Sequence, residues 1–173
     1  MSTVRLNEFD TSALALNAPV TSRGRKKISS LTYNETTFLL QTPRMKLSKK
    51  NNHGKPYMVV ESGENDSDFY NTICAIQDHC IATVSEHSEE WFGGEADTET
   101  VEGMFKTIAV APKRSSDKWK YKFMYLTDPD HILSEFYNER KQVIPFESLR
   151  EGRDIVLLLH IVGVQFDKHS AKL

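Results

Sequence analysis

Between Lys118 and Phe123 the chain reads Lys-Trp-Lys-Tyr-Lys-Phe, three cations alternating with three rings. In an extended strand successive side chains point to opposite faces, so Lys118, Lys120 and Lys122 share one side and Trp119, Tyr121 and Phe123 the other. A row of ammonium groups can track a phosphate backbone, and exposed rings can stack on bases at about 1–3 kcal/mol each. Alternation lets only one face be core, and the rings are expected inward. A half-buried strand with solvating lysines would carry the same pattern. The wider distribution of charge favours the binding reading: Arg23, Arg25, Lys26 and Lys27 form a second basic cluster. Arg44, Lys46, Lys49, Lys50 and Lys55 form a third, followed by Tyr57, and Lys113 and Arg114 lead into the alternating strand. Separate basic clusters in a chain of net charge −2 point to a polyanionic partner.

Catalytic constellations are hard to find. There is no glycine-rich phosphate loop, no nucleophile elbow and no metal-type His-Glu pairing. Cys74 and Cys80 stand about 240° apart around a helix, too far to share a metal or bond to one another. Cys80 reads as a small core residue. His79 and His87 flank the same stripe near acids, where zinc is the less economical explanation. His160 lies inside an apolar run and reads as a core histidine. Glu86, Glu89 and Glu90 could be named an acid/base set, but a solvated helix face accounts for them. A non-enzymatic protein without metal or cofactor is expected.

The near-neutral total conceals a segregation. Residues 56–105 contain twelve acids and no Lys or Arg, leaving 22 basic against 12 acidic residues elsewhere, a net of +10. A strongly bipolar surface follows. The length fits one domain with an arm, and 39% apolar residues suffice for a core. The longest purely apolar run, Ile155 to Leu159, is far short of a membrane span. Polar residues interrupt any signal-peptide core at the N-terminus, and two cysteines suit a reducing compartment. An intracellular protein is expected.

The elements that must position these residues are short. Residues 1–30 show no sustained period and read as a flexible N-terminal arm ending in the basic run. Leu31 to Thr42 reads as strand, turn and strand about Tyr33-Asn34-Glu35, stopped by Pro43. Residues 44–55 read as a basic loop, and 56–61 as a strand. From 67 to 92, apolar residues at Phe69, Ile73, Ile76, Cys80, Val84 and Trp91 predict one long amphipathic helix with an acidic outer face. Gly93-Gly94 ends it. A short helix is expected over 98–106, with Val101, Met104 and Phe105 inward. Strands follow at 107–111, 118–126, 132–137 and 142–144. Asp154 to Phe166, apolar on both faces, reads as a long central strand with a bulge at Gly163. Together these predict a mostly β, α+β fold: an OB-like small barrel or sandwich over 31–173, with helix 67–92 as a single domain beside the arm.

Tyr33-Asn34 followed by Phe38-Leu39-Leu40-Gln41-Thr42-Pro43-Arg44-Met45 resembles a strand and loop found in a family of nucleocytoplasmic large DNA viruses. The resemblance extends through Ser88-Glu89-Glu90-Trp91-Phe92, Val101-Glu102 with Phe105, Ala111-Pro112-Lys113 and Gly163-Val164-Gln165-Phe166. That family is the OB-fold-like single-stranded DNA-binding proteins of the viral replication machinery. The resemblance implies a virus-encoded, non-enzymatic single-stranded DNA-binding protein of DNA replication or repair. It would work at the viral replication site, in the host nucleus or a cytoplasmic factory, with viral replication proteins as partners. Self-association is compatible with it, RNA binding stays open, and no membrane is involved. Loop 44–55, strand 113–122 and the run 23–27 would line the groove. The alternative, from a different class, is a virion structural protein, a minor capsid or scaffold-associated component whose arm and bipolar charge would suit head-to-tail contacts.

Overall fold

The computed structural model describes residues 2–21, 26–51, 57–62, 67–106, 109–110, 118–124, 127–128, 131–132 and 134–173. Strands β1 (Ser2–Val4), β2 (Leu14–Leu16), β3 (Val20–Thr21), β4 (Lys27–Tyr33) and β5 (Phe38–Gln41) precede β6 (Met45–Asn51) and β7 (Tyr57–Glu61). Helices α1 (Ser67–Glu86), α2 (Ser88–Phe92) and α3 (Thr98–Met104) follow. Strand then resumes with β8 (Ala109–Val110), β9 (Lys120–Met124), β10 (Thr127–Asp128), β11 (His131–Ile132), β12 (Phe136–Tyr137) and β13 (Val143–Ile144). The last elements are β14 (Asp154–Ile155), β15 (Leu158–His160), β16 (Gly163–Asp167) and β17 (Ser170–Lys172). The fold class is mostly β, an α+β set of mainly antiparallel sheets of OB-like kind with one long acidic helix.

The chain divides into two compact units, where the sequence predicts one domain. The first comprises Met1–Pro43, Asp66–Ile108 and Leu157–Leu173; the second comprises Arg44–Asn65 and Ala109–Val156. Both units are discontinuous in sequence, and local periodicity carries no trace of such an exchange.

In the first unit β4 lies between β16 on one side and β2 and β3 on the other. Its alternation buries Ser29, Leu31 and Tyr33. The two-residue turn after it has positive φ at both Asn34 (48°) and Glu35 (60°), and Tyr33 and Thr36 exchange backbone hydrogen bonds across it. Such a turn normally closes a hairpin. Here the chain diverges instead, and β5 joins a separate sheet between β1 and β15.

The described residues of the expected arm, 2–21 and 26–30, are not an arm. β1 runs parallel to β5 with Val4 opposite Leu40, and β2 pairs with β4. Val4, Leu14 and Leu16 are buried. The Tyr33 hydroxyl accepts from Asp10 N–H and donates to the Glu8 carbonyl, both at 3.1 Å, and its ring stacks on Phe9. Three-residue strands separated by 3-10 turns are too short to show a period, which is why the segment looks structureless in sequence.

α1 buries Phe69, Ile73, Ile76, Cys80, Ile81 and Val84, the predicted stripe with Ile81 added. The predicted helix is interrupted at His87, whose ring stacks on Trp91 at 5.0 Å; Trp91 is only half-buried. α2 ends on Gly93 at φ 78°, where the left-handed residue lets its N–H reach the Glu89 carbonyl. Asp97 caps α3 by accepting from Thr100 N–H at 2.8 Å, and hydrogen bonding from the Thr100 side chain and then its N–H holds the Asp97 carboxyl below the ordinary range. Val101 and Phe105 are buried as expected.

The expected long strand 154–166 is three short ones. β14 and β15 are edge strands of different sheets, and Val156, Leu158 and Val162 are exposed. Gly163 is no bulge. Its φ is +137°, and a Cβ there would lie 2.0 Å from the Ser29 carbonyl oxygen, so β16 can reach β4 only without a side chain.

Two outcomes test this architecture. Gly163→Ala should destabilise the protein by about 3 kcal/mol or more, read as a lower urea midpoint at unchanged slope. Deleting residues 2–16 removes three buried aliphatic side chains at about 1.5–3 kcal/mol each, much of a typical stability. The truncated chain should lose its cooperative thermal transition. An unchanged melting temperature would restore the arm.

Candidate nucleic-acid interface

The second unit holds a five-stranded sheet in the order β14-β6-β7-β9-β8. Strand alternation gives it two unlike faces. One face is core: Leu47, Val60 and Tyr121 align across β6, β7 and β9 and are all fully buried. Met45 and Met58 extend it. The other face carries the cations.

That open face is built in rows. Asp154, Lys46, Glu61 and Lys120 form one row across four strands, alternating in sign. The next row is Lys49, Val59 and Lys122, with two cations and no acid. Asn51, Tyr57 and Met124 form the third, with Met124 exposed. The order of lysines depends on a β-bulge. Register shifts between Leu47 and Lys49, so Ser48 is supernumerary and Lys49, not Lys50, continues outward from Lys46.

Glu61 organises the first row. Its Oε1 accepts from Lys120 Nζ at 3.1 Å and from Ser48 Oγ at 3.0 Å. Burial works against its ionisation, but these two hydrogen bonds and the charges of Lys120 and Lys118 outweigh it. The carboxyl is therefore held below its ordinary 4.5. In the second row, Lys122 Nζ sits 4.0 Å from the centroid of the Tyr57 ring, a cation–π contact that holds both groups on the surface. Among the described residues, the Lys49 and Lys122 ammonium groups have no carboxylate partner.

Thus Lys46, Lys49, Lys120, Lys122 and Tyr57, separate in sequence, share one sheet face. Lys118 lies close enough to Glu61 for its charge to act there, and Arg44 is exposed just before β6. The expected basic loop 44–55 is largely strand, since alternating Met45 and Leu47 lock β6 into the core. Lys50 is spent internally. Its ammonium donates to the Phe146 and Glu147 carbonyls at 3.0 and 3.2 Å and lies over the Phe146 ring. Tyr121 is core and offers no stacking surface, and Trp119 is half-buried. Lys26 and Lys27 belong to the first unit, where Lys26 pairs with Asp167 at 3.8 Å and Lys27 donates to the Trp91 carbonyl at 3.0 Å. Arg23, Arg25, Lys55, Lys113 and Arg114 lie outside the described residues.

Sequence reasoning missed Val59, Glu61, Met124 and Asp154 as members of this face. Period-2 spacing of Tyr57, Val59 and Glu61 was the available signal, but the cross-strand register was not readable. Elsewhere, burial pushes the Cys80 thiol up to about 12, leaving it protonated and inert near neutrality. Burial likewise holds His79 below its ordinary value. Among the described residues no group of three or more His, Cys, Asp or Glu is placed to hold a metal ion, and no helix is long and apolar enough to cross a membrane. Compared with family models, curated proteins and solved structures, the chain finds no match.

The Glu61 contact makes a pH prediction. A carboxyl held lower in the folded than in the unfolded state adds stability that is fully present above the unfolded value and lost as pH falls through the folded one. Lys120→Met should raise the Glu61 value, read from its side-chain carboxyl carbon-13 shift, and should shrink the loss of stability below about pH 4.5. An unmoved carboxyl titration would mean that Lys120 does not engage Glu61 in solution.

Proposed function

We propose that the chain is a non-enzymatic single-stranded nucleic-acid-binding protein whose contact surface is the open face of β6, β7 and β9. The observation that carries this reading is the Lys49–Val59–Lys122 row beside Tyr57: two cations without acidic partners flanking a ring held on the surface. Neighbouring strands lie about 4.8 Å apart, so the two lysine backbones are separated by roughly 10 Å with an apolar strip between them. Cations for phosphates and a ring for a base is the combination that sequence-tolerant single-strand binding uses. Glu61 has a positioning role. It fixes Lys120 and leaves Lys46, Lys49 and Lys122 to meet phosphate.

The substrate in this reading is single-stranded DNA. The setting is replication or repair in a nucleocytoplasmic large DNA virus, which the family resemblance of the strand and loop about Gln41-Thr42-Pro43 implies. The competing reading, a virion structural protein, draws on the charge distribution. Glu86, Glu89, Glu90, Glu99 and Glu102 are exposed on the helices of the first unit, while the second unit presents lysines. Acid on one copy could meet lysine on another. Its other support, a free arm for subunit contacts, falls away with β1 and β2 in the sheets.

Titration of labelled homo-oligonucleotides at several salt concentrations separates the two. Each phosphate neutralised on a single strand contributes about −0.7 to the slope of log affinity against log salt. The triple variant Lys46→Gln, Lys49→Gln, Lys122→Gln should flatten the slope by about 2. Tyr57→Ala should instead weaken binding by about 1–3 kcal/mol at every salt concentration and leave the slope alone. No binding by the wild-type chain, with salt-sensitive self-association in sedimentation, would favour the structural protein.

A further inference from the structure

A second feature lies wholly in the first unit and has no part in the lysine face. Between the helices and the β16–β17 edge is a cleft of about 500 Å³, within the range of small-molecule sites. Its walls are apolar: Val84 from α1, Val101 and Met104 from α3, and Phe105, Phe166 and Ala171. Ser88 contributes a hydroxyl, but that oxygen already accepts the Ala96 N–H at 2.9 Å and donates weakly back to the Ala96 carbonyl. The walls therefore solvate a hydrocarbon body and offer little to a polar one.

The mouth is different. Lys26, Lys27 and Lys168 stand there against a single acid, Asp167. Asp167 is shared by Lys26 at 3.8 Å and Lys172 at 3.4 Å. Lys27 is the placed cation. Its ammonium donates to the Trp91 carbonyl at 3.0 Å and lies 4.9 Å from the centroid of the Phe92 ring. Phe92 in turn packs on Phe166 with centroids 5.1 Å apart, yet stays 40% exposed at the rim. Among the described residues Lys27 and Lys168 have no carboxylate partner. A half-buried ammonium fixed at the mouth of an apolar cleft is complementary to an anion attached to a hydrocarbon.

We propose that this cleft binds a single-chain amphipathic carboxylate, its acyl body between α3 and β16 and its head on the Lys27 ammonium. The same chemistry could come from a free acid or from the anionic surface of a lipid bilayer. The concave apolar walls favour the free acid. Chain length and charge both enter the affinity: a buried methylene is worth about 0.8 kcal/mol, roughly a four-fold gain for each carbon added.

Calorimetric titration of the full chain with octanoate, decanoate, decanol and decyltrimethylammonium, each below its aggregation threshold, tests this. Decanoate should bind ten-fold or more tighter than decanol and roughly fifteen-fold tighter than octanoate, and the cationic amphiphile should not bind. Lys27→Met should bring decanoate to the level of decanol, while Met104→Trp, which fills the cleft, should abolish both. If Met104→Trp does not fold, the Met104 methyl resonance of the wild-type chain must shift on titration. No binding of decanoate, equal binding of decanoate and decanol, a Lys27→Met variant that keeps the preference, or an unmoved Met104 methyl would each overturn the proposal. So would cosedimentation with phosphatidylglycerol vesicles in the absence of decanoate binding, which would assign the charge to a bilayer surface.

Discussion

The close approach of β16 to β4 is the constraint on which the first unit depends. Gly163 presents no side chain where the Ser29 carbonyl would otherwise collide with one, and the Leu31 N–H reaches the Val162 carbonyl at 3.0 Å beside it. With that contact in place β4 has neighbours on both sides, and its buried residues can face a continuous core. β16 then sets β17 at the sheet edge, where Ala171 bridges to Phe105 and its carbonyl receives the Lys106 N–H. The walls of the apolar cleft, drawn from α3, β16 and β17, follow from this one backbone approach.

Charge is partitioned rather than balanced. The acids of 56–105 sit mostly on exposed positions of α1 to α3, whereas Lys46, Lys49, Lys120 and Lys122 populate a sheet face. Opposite charge enters that face in the first row, as Asp154 and Glu61, and Glu61 fixes geometry by binding Lys120 and Ser48. An exposed ion pair of this kind contributes little to stability, but it limits the conformations of a long side chain. The row with no acid is then the one left with unmatched positive potential.

Much of this was legible in the amino-acid pattern, for identifiable reasons. α1 was, because six buried side chains at helical spacing overdetermine a period. The Asn34-Glu35 turn and the inward set of Tyr121 were too, the latter because alternation leaves one face for the core and the rings are the apolar set. The outward set of Lys120 and Lys122 follows from the same rule. The N-terminal strands were not legible, since three residues cannot establish a period and β1 draws its partner from 36 residues away. Lys50 differs because 44–55 reads as a loop in which every lysine is available, whereas the described part of the segment is largely strand and the extra residue at Ser48 turns Lys50 away from Lys49, with nothing local in Lys-Leu-Ser-Lys-Lys to announce it. The run at 154–166 misled differently. Apolar on both faces normally means central, but β14 and β15 are edge strands and leave Val156, Leu158 and Val162 in the open.

The pairing of β4 with β16 also dictates an order of assembly. Ser30 finds its partner Gly163 about 130 residues later in the chain. At ribosomal speeds of about 5–20 residues per second, β4 emerges on the order of ten seconds before the strand that completes it. Throughout that interval one row of its backbone N–H and C=O groups is unsatisfied, the template on which nascent chains mispair. The basic run Arg23-Gly24-Arg25-Lys26-Lys27 stands immediately before it, and Lys27 is its first residue. Like charge at the head of a waiting edge discourages two copies from zipping together. Those cations, read at first as a handle for nucleic acid, would thus serve the newborn chain as a guard on its own unfinished sheet.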